Sequence, residues 1–184
     1  IPTEMEQISR ELGASANETL EVLTFDIINS GTGTATHTDG LDGAIFATGK
    51  VRLRGGVWSN LLSPASDLSA TALQAALDEF ENQLDDTGKI QIIKAKELWV
   101  APENAWKAKE LLNSAYDPES ANNSINTIKE RNLSLRVSPF LTDKDAFTLV
   151  ADPPHGNGGI IAYLRRKVTV AQDGDFETGD AKFK

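Results

Sequence analysis

The chain has 184 residues, the length of about one domain, and its 40% hydrophobic and 24% charged residues are typical of a folded protein. A net charge of −9 makes nucleic acid and anionic lipid unfavourable partners, because both repel an acidic surface. The chain has no cysteine, which excludes disulfides, thiolate nucleophiles and Cys-bound metals, and no apolar run approaches the roughly 20 residues that cross a bilayer.

The first elements are helical. Two capping-box signals, Thr3 with Glu6 and Ser15 with Glu18, each precede apolar residues at helical spacing. Because Gly13 separates the two stretches, the pattern predicts two helices, or one kinked helix, over Pro2–Asn29.

A glycine-rich segment follows the helical region. Residues 31–56 hold seven of the 14 glycines and contain two short apolar pieces, 44–46 and 51–53. We therefore predict a long loop with a small hairpin formed by these two pieces. Beyond this loop, apolar residues at helical spacing predict a helix over 69–83, which a turn at 85–88 ends.

The second half of the chain carries the sheet. Residues 97–101 are typical of a buried strand, and Pro102 begins a helix with one apolar face. Three further segments have strand composition, and we predict a final hairpin that turns at 172–175. The segments are 133–137, 146–151 and 159–164, and the hairpin strands are 168–170 and 181–184. This order of elements predicts an α+β fold.

Side chains suited to catalysis are scarce. His37 and His155 are the only histidines, and the spacing of Asp39 and Asp42 around His37 matches no known metal-ligand motif. Asp-Gly pairs in this segment are common turn residues. We expect no cofactor and no catalysis, with a metal-assisted hydrolase that uses these four residues as the alternative.

The tryptophans and one basic run are candidates for packing and contact. Trp99 lies within a predicted strand and Trp106 on the next helix, so we predict that both pack in the core. Trp58 follows two glycines in a loop and is the better candidate for an intersubunit anchor. The basic run that contains Arg165 and Arg166 could bind a phosphate, and we expect it instead to contact another subunit.

Seven stretches occur in the order, and near the spacing, of one known family. They are 42–49, 58–61 with 67–80, 85–88, 98–102, 121–126, 141–147 and 175–182. Together they resemble the major capsid protein of tailed bacteriophages, in particular the Mu-like major head subunits with the Hong Kong 97-type fold.

The resemblance implies an arrangement of three regions. Residues 1–30 would form a spine-helix region, 31–166 an axial domain with a sheet and flanking helices at the capsomer centre, and 167–184 a return hairpin toward a peripheral domain. The polar loop 116–131 is then a candidate for the region near the ring axis. Its candidate contact residues are Tyr116, Asn122, Asn123 and Asn126.

The resemblance also implies a structural function. Pentamers and hexamers of the protein would form an icosahedral shell that encloses DNA without binding it specifically, assembled in the bacterial cytoplasm with scaffold or portal proteins as further partners. An encapsulin-type nanocompartment shell and a monomeric binding module are the alternatives. Because the chain begins at Ile1 and lacks the family's arm and extended loop, we expect a portion of a longer protein that does not form shells by itself.

Overall fold

The computed structural model describes residues 2–33, 43–52, 55–84, 87–119, 124–152, 172–174 and 181–183. The chain divides into two units, one made of residues 1–24 with 162–184 and the other of residues 25–161. Helices and small sheets occur together among the described residues, so the predicted α+β class is confirmed. None of the described helices is long and apolar enough to cross a membrane.

The first helix, α1, is continuous over Pro2–Asn29. A single helix spans the predicted range, so of the two predicted alternatives that of two separate helices is wrong. A glycine inside a helix costs only about 1 kcal/mol relative to alanine, which the neighbouring turns of a long helix can absorb. Ser15 lies inside the helix, where its carbonyl accepts a bond of 2.9 Å from the Thr19 hydroxyl.

The end of α1 is fixed by one side chain and one glycine. The Asn29 amide donates to the Phe140 carbonyl at 2.8 Å, and its oxygen accepts from the Thr142 N–H at 3.0 Å. Gly31 is buried, and a Cβ at this position would collide with the ring of Phe46. The backbone N–H of Phe46 donates to the Gly31 carbonyl at 2.8 Å. Only glycine therefore permits this close approach.

The hairpin in the glycine-rich segment differs from the predicted one. It joins β1, Lys50–Val51, to β2, Val57–Trp58, and does not include residues 44–46. The turn lies at Gly55 and Gly56, whose φ angles of +94° and +86° are unfavourable for residues that carry a Cβ. The pairing with 44–46 is wrong because these two glycines place the turn after residue 52.

Among the described residues, the main sheet has three strands in the order β4-β3-β5. The central strand β3, Lys94–Val100, pairs parallel with β4, Ser134–Val137, and antiparallel with β5, Phe147–Asp152. These three strands confirm the predictions at 97–101, 133–137 and 146–151. The parallel connection from β3 to β4 passes through a 3₁₀ turn at Pro102–Asn104, helix α3 at Ala105–Asn113 and a second 3₁₀ turn at Ile128–Arg131.

One face of this sheet forms the core. Leu98 and Val100 point to this face and are fully buried together with residues of α2, which spans Ala70–Glu81. The Ser69 hydroxyl caps α2 by accepting from the Ala72 N–H at 3.1 Å, so the predicted helix is confirmed. The core members are Leu68, Ala70, Leu73, Leu77, Leu98, Val100, Ala108, Leu111, Leu112 and Ile128.

The opposite face is organised around Trp99, which confirms its predicted core position at 7% exposure. The Phe25 ring centroid lies 5.4 Å from that of Trp99, and the Arg136 guanidinium lies 4.8 Å from the Trp99 centroid. The Trp99 indole N–H donates to Glu97 at 2.6 Å. The buried ring is therefore paired at its polar atom and covered on its faces.

The last hairpin pairs β6, Gln172–Gly174, with β7, Ala181–Phe183. The predicted turn at 172–175 is wrong, since 172–174 is a strand. Residues 175–180, which join the two strands in sequence, lie outside the described residues. The predicted strands at 159–164 and 168–170 lie outside the described residues.

Candidate functional site

A large cavity runs along β5. It measures about 1090 Å³ and is enclosed by β5, α2, the end of α1 and the segment that follows β2. Residues 146–149 and 151 all line it. Because successive strand residues point to opposite faces, this continuous run means that the edge of β5 faces the cavity. The aromatic side chains of the wall are Phe46, Trp58, Phe80 and Phe147.

The charged lining of this cavity is mostly acidic. Asp67, Glu79 and Asp143 contribute carboxylates, and Arg52 contributes one guanidinium. Asp67 and Asp143 are exposed, so their charges face a ligand or partner that approaches from solvent. The cavity therefore favours an apolar occupant that carries positive charge at its edge.

Trp58, the predicted anchor, forms part of the cavity wall. The residue is half-buried, and the Lys50 ammonium lies 5.2 Å from its ring centroid. Lys50 also donates to the carbonyls of Ala44 and Ile45, at 2.8 and 2.9 Å. These bonds hold the Lys50 ammonium near the indole, which lines the cavity.

Asn126, a predicted contact residue, lies inside the fold at 5% exposure. Its amide donates to the carbonyls of Leu111 and Ser114 at 2.6 and 3.1 Å, and its oxygen accepts from the Ile128 N–H at 3.0 Å. Both the nitrogen and the oxygen of its side-chain amide therefore have internal partners. Asn126 fixes the base of the polar loop to α3 and does not reach the surface that a neighbour would contact.

Tyr116 and Ile125 present the base of that loop to solvent. They form an isolated antiparallel bridge, and the two residues are 58% and 74% exposed. The Asp117 N–H donates to the Ser124 carbonyl at 2.8 Å, which continues the pairing toward the tip. Asn122 and Asn123 at the tip, and Arg165 and Arg166, lie outside the described residues.

Trp106 is exposed, so its predicted core position is wrong. It lies on α3, and 81% of the residue is accessible. The buried residues of α3 are Ala108, Leu111 and Leu112. At about 100° per residue, position 106 falls on the opposite side of the helix from this stripe. The helical periodicity therefore contained the signal that Trp106 faces solvent.

The residues of the alternative hydrolase site, His37, Asp39, Asp42 and His155, lie outside the described residues. Within the described part of the chain, no three His, Cys, Asp or Glu side chains are grouped so as to hold a metal ion. The described features of functional interest are therefore two surfaces: the cavity along β5 and the exposed residues of α3 with the loop after it.

The sequence as a whole matches a known family. Residues 3–184, nearly the full chain, match the family model of the phage capsid protein. The chain belongs to the phage capsid protein family. No curated protein and no solved structure matches this capsid protein significantly. The resemblance to phage capsid proteins is thus confirmed at the level of the family, which is one of structural proteins that form the shell of the virion.

Proposed function

We propose that this capsid protein is a major head subunit of a tailed phage or prophage, of the Mu-like group with the Hong Kong 97-type fold. The family match over residues 3–184 carries the proposal. The seven stretches that resemble Mu-like head subunits support the finer assignment. The protein then assembles into pentamers and hexamers of an icosahedral shell, and it acts by self-association rather than by catalysis.

The three predicted regions are part of this proposal. We place the axial domain at 31–166, because the three-stranded sheet and the helices α2 and α3 lie in this range. The spine region at 1–30 contains α1, and the return hairpin at 167–184 contains β6 and β7. In this arrangement the loop after α3 lies near the ring axis.

Contact residues follow from the positions that the described structure leaves accessible. Tyr116 is exposed and Trp58 lines a cavity, so both stay in the proposed contact surface. Four further residues remain in the proposed contact surface because the sequence alone predicts them: Asn122, Asn123, Arg165 and Arg166. Asn126 is left out, because it is buried and internally bonded.

Assembly itself gives the first test. We expect the intact protein, expressed in bacteria, to form closed particles whose surface shows rings of five and six subunits, visible by electron microscopy. A closed icosahedral shell requires pentamers, because they supply its curvature, and hexamers form the faces of larger shells. Intact protein that remains monomeric at high concentration would contradict the proposal.

The enclosed DNA gives the second test. A net charge of −9 opposes contact with phosphates, and a wall that does not hold DNA permits its packing and release. We therefore expect no retardation of duplex DNA by the intact protein at about 50 mM salt, where a protein with several phosphate contacts binds strongly. Tight binding that weakens steeply with added salt would contradict the proposal that the shell wall does not bind DNA.

We also propose that the shell assembles in the host cytoplasm, with scaffold or portal proteins as partners.

A further inference from the structure

The loop after α3 begins and ends in a paired segment, residues 115–119 with 124–126, which we call the arm. Three successive backbone contacts join its two limbs. They are the N–H of Asn126 to the carbonyl of Ala115, the bridge between Tyr116 and Ile125, and the N–H of Asp117 to the carbonyl of Ser124. Because these contacts connect neighbouring residues of both limbs, the arm forms one cooperative unit.

The two ends of the arm are held by different forces. At the base, Asn126 is 5% exposed and its amide donates to the carbonyls of Leu111 and Ser114. Toward the tip, the arm is held by Glu119, whose side chain is 35% exposed. Salt screens an exposed charge far more than it affects a buried hydrogen bond between neutral groups. The base is therefore a fixed attachment, and the attachment at Glu119 depends on charge.

The carboxylate of Glu119 connects the arm to both neighbouring helices. Its Oε2 accepts from the Ala70 N–H of α2 at 2.9 Å, and its Oε1 lies 3.8 Å from the Lys107 ammonium of α3. The backbone N–H of Glu119 donates to the Asp117 carboxylate at 3.1 Å, a local turn that precedes this side chain. One side chain thus holds the arm between the two helices.

The amide of Ala70 depends on this contact. Ala70 is the first residue of α2, so its N–H has no acceptor within the helix, and the residue is only 4% exposed. A buried N–H requires an acceptor, and Glu119 supplies it. The positive end of the helix dipole also favours a carboxylate over a neutral side chain. The exchange of this one amide therefore reports on the attachment of the arm.

We propose that Glu119 is an electrostatic latch that holds the arm against the first turn of α2, and that the arm turns about its base as one body when the latch opens. Tyr116 lies on this arm and is 58% exposed. Glu119 thereby sets the direction in which Tyr116 faces a second copy of this chain, which makes it a positioning residue for that contact. This role rests on the subunit contact proposed above for Tyr116, whereas the latch depends only on contacts within one subunit.

Glu119→Gln tests the latch, since glutamine keeps the side-chain length and an acceptor oxygen and removes only the charge. In unassembled subunits of the intact protein we expect the Ala70 amide to exchange about fivefold faster, because a charge-assisted bond is roughly twice as strong as a neutral one. The Asp117 amide should keep its wild-type rate, because the arm moves as one body. Exchange mass spectrometry with fragmentation to single residues measures both amides.

Glu110→Gln is the matched control, because it removes the same charge at an exposed position of α3. We expect it to leave the exchange of both amides unchanged. An Ala70 amide that exchanges at the wild-type rate in Glu119→Gln would overturn the latch. Equal acceleration at Ala70 and Asp117 would overturn the movement of the arm as one body, since it would show that the arm itself unfolds.

Added salt gives an independent measurement on the wild type. At about 1 M salt the screening length falls to about 3 Å, which is shorter than the 3.8 Å between Lys107 and Glu119. We expect the Ala70 amide of the wild type to exchange faster at about 1 M than at about 50 mM salt, and that of Glu119→Gln to respond little. An equal response of the two proteins would show that the charge of Glu119 does not hold the arm.

Ring formation tests the positioning role. We expect Glu119→Gln to raise the concentration at which rings form by about twofold, the change that follows when about half of the subunits are unlatched. Analytical ultracentrifugation at fixed salt measures this concentration. Ring formation equal to that of the wild type would overturn the positioning role and leave the capsid assignment intact. A wild type that stays monomeric would overturn the proposed ring assembly, while the exchange of Ala70 would still decide whether the latch exists.

Discussion

Leu73→Ala is expected to lower the free energy of unfolding by about 3 kcal/mol, within the range of about 2–5 kcal/mol for leucine-to-alanine changes in packed cores. Leu73 is completely buried on α2 and belongs to the cluster that packs against Leu98 and Val100. The change removes apolar contacts and leaves a cavity that the sheet cannot fill. Urea unfolding followed by circular dichroism measures the shift of the midpoint.

The matched control is Gln74→Ala, one residue further along the same helix. Gln74 is exposed, and this variant also introduces an alanine. Glutamine and alanine are both good helix formers, so the helix propensity of α2 changes little. We expect its effect to stay within about 0.5 kcal/mol. Equal shifts for the two variants would show that burial against the sheet does not stabilise α2.

Asn126→Ala is expected to cost about 2–3 kcal/mol, because an unpaired buried polar group costs about 1–3 kcal/mol. The variant leaves the Leu111 carbonyl and the Ile128 N–H without the side chain that now bonds them. Hydrogen exchange should also become faster at Asp117, whose N–H pairs across the base of the loop. Urea unfolding and exchange mass spectrometry measure the two effects.

Asn113→Ala is the control for Asn126. Its amide donates only within α3, to the Lys109 carbonyl at 3.1 Å, and the side chain is exposed. We expect little change in the free energy of unfolding, since the Lys109 carbonyl can bond water instead. An Asn126 variant as stable as this control would mean that the three internal bonds of Asn126 do not hold the loop.

The elements that the sequence predicts well are those with local signals. α2 has both an apolar stripe and the Ser69 cap, and β3 to β5 have compact runs of strand-forming residues. The prediction of two helices in place of α1 and the pairing of 51–53 with 44–46 are wrong for the opposite reason. Gly13 only lowers helix propensity, whereas Gly55 and Gly56 adopt backbone angles that require glycine, and composition does not distinguish the two cases.

The candidate site was less predictable, because it depends on exposure after packing. The residue type of Trp106 favours the core, and its position on the helical wheel was the better guide. Asn126 lies in a polar segment whose composition indicates a surface loop, yet its amide is buried by contacts with the preceding helix. The cavity along β5 joins segments distant in sequence, from Phe46 to Ala151, and no local pattern indicates it.

The central position of β3 has a consequence for the order of events during synthesis. Both neighbours of this strand come later in the chain, β4 at Ser134–Val137 and β5 at Phe147–Asp152. The sheet therefore depends on contacts between distant residues, which form slowly, and β3 has no partner strand until β4 has left the ribosome. β3 gains its second partner only when β5 follows, so a nascent chain that ends before Phe147 leaves one edge of β3 unpaired.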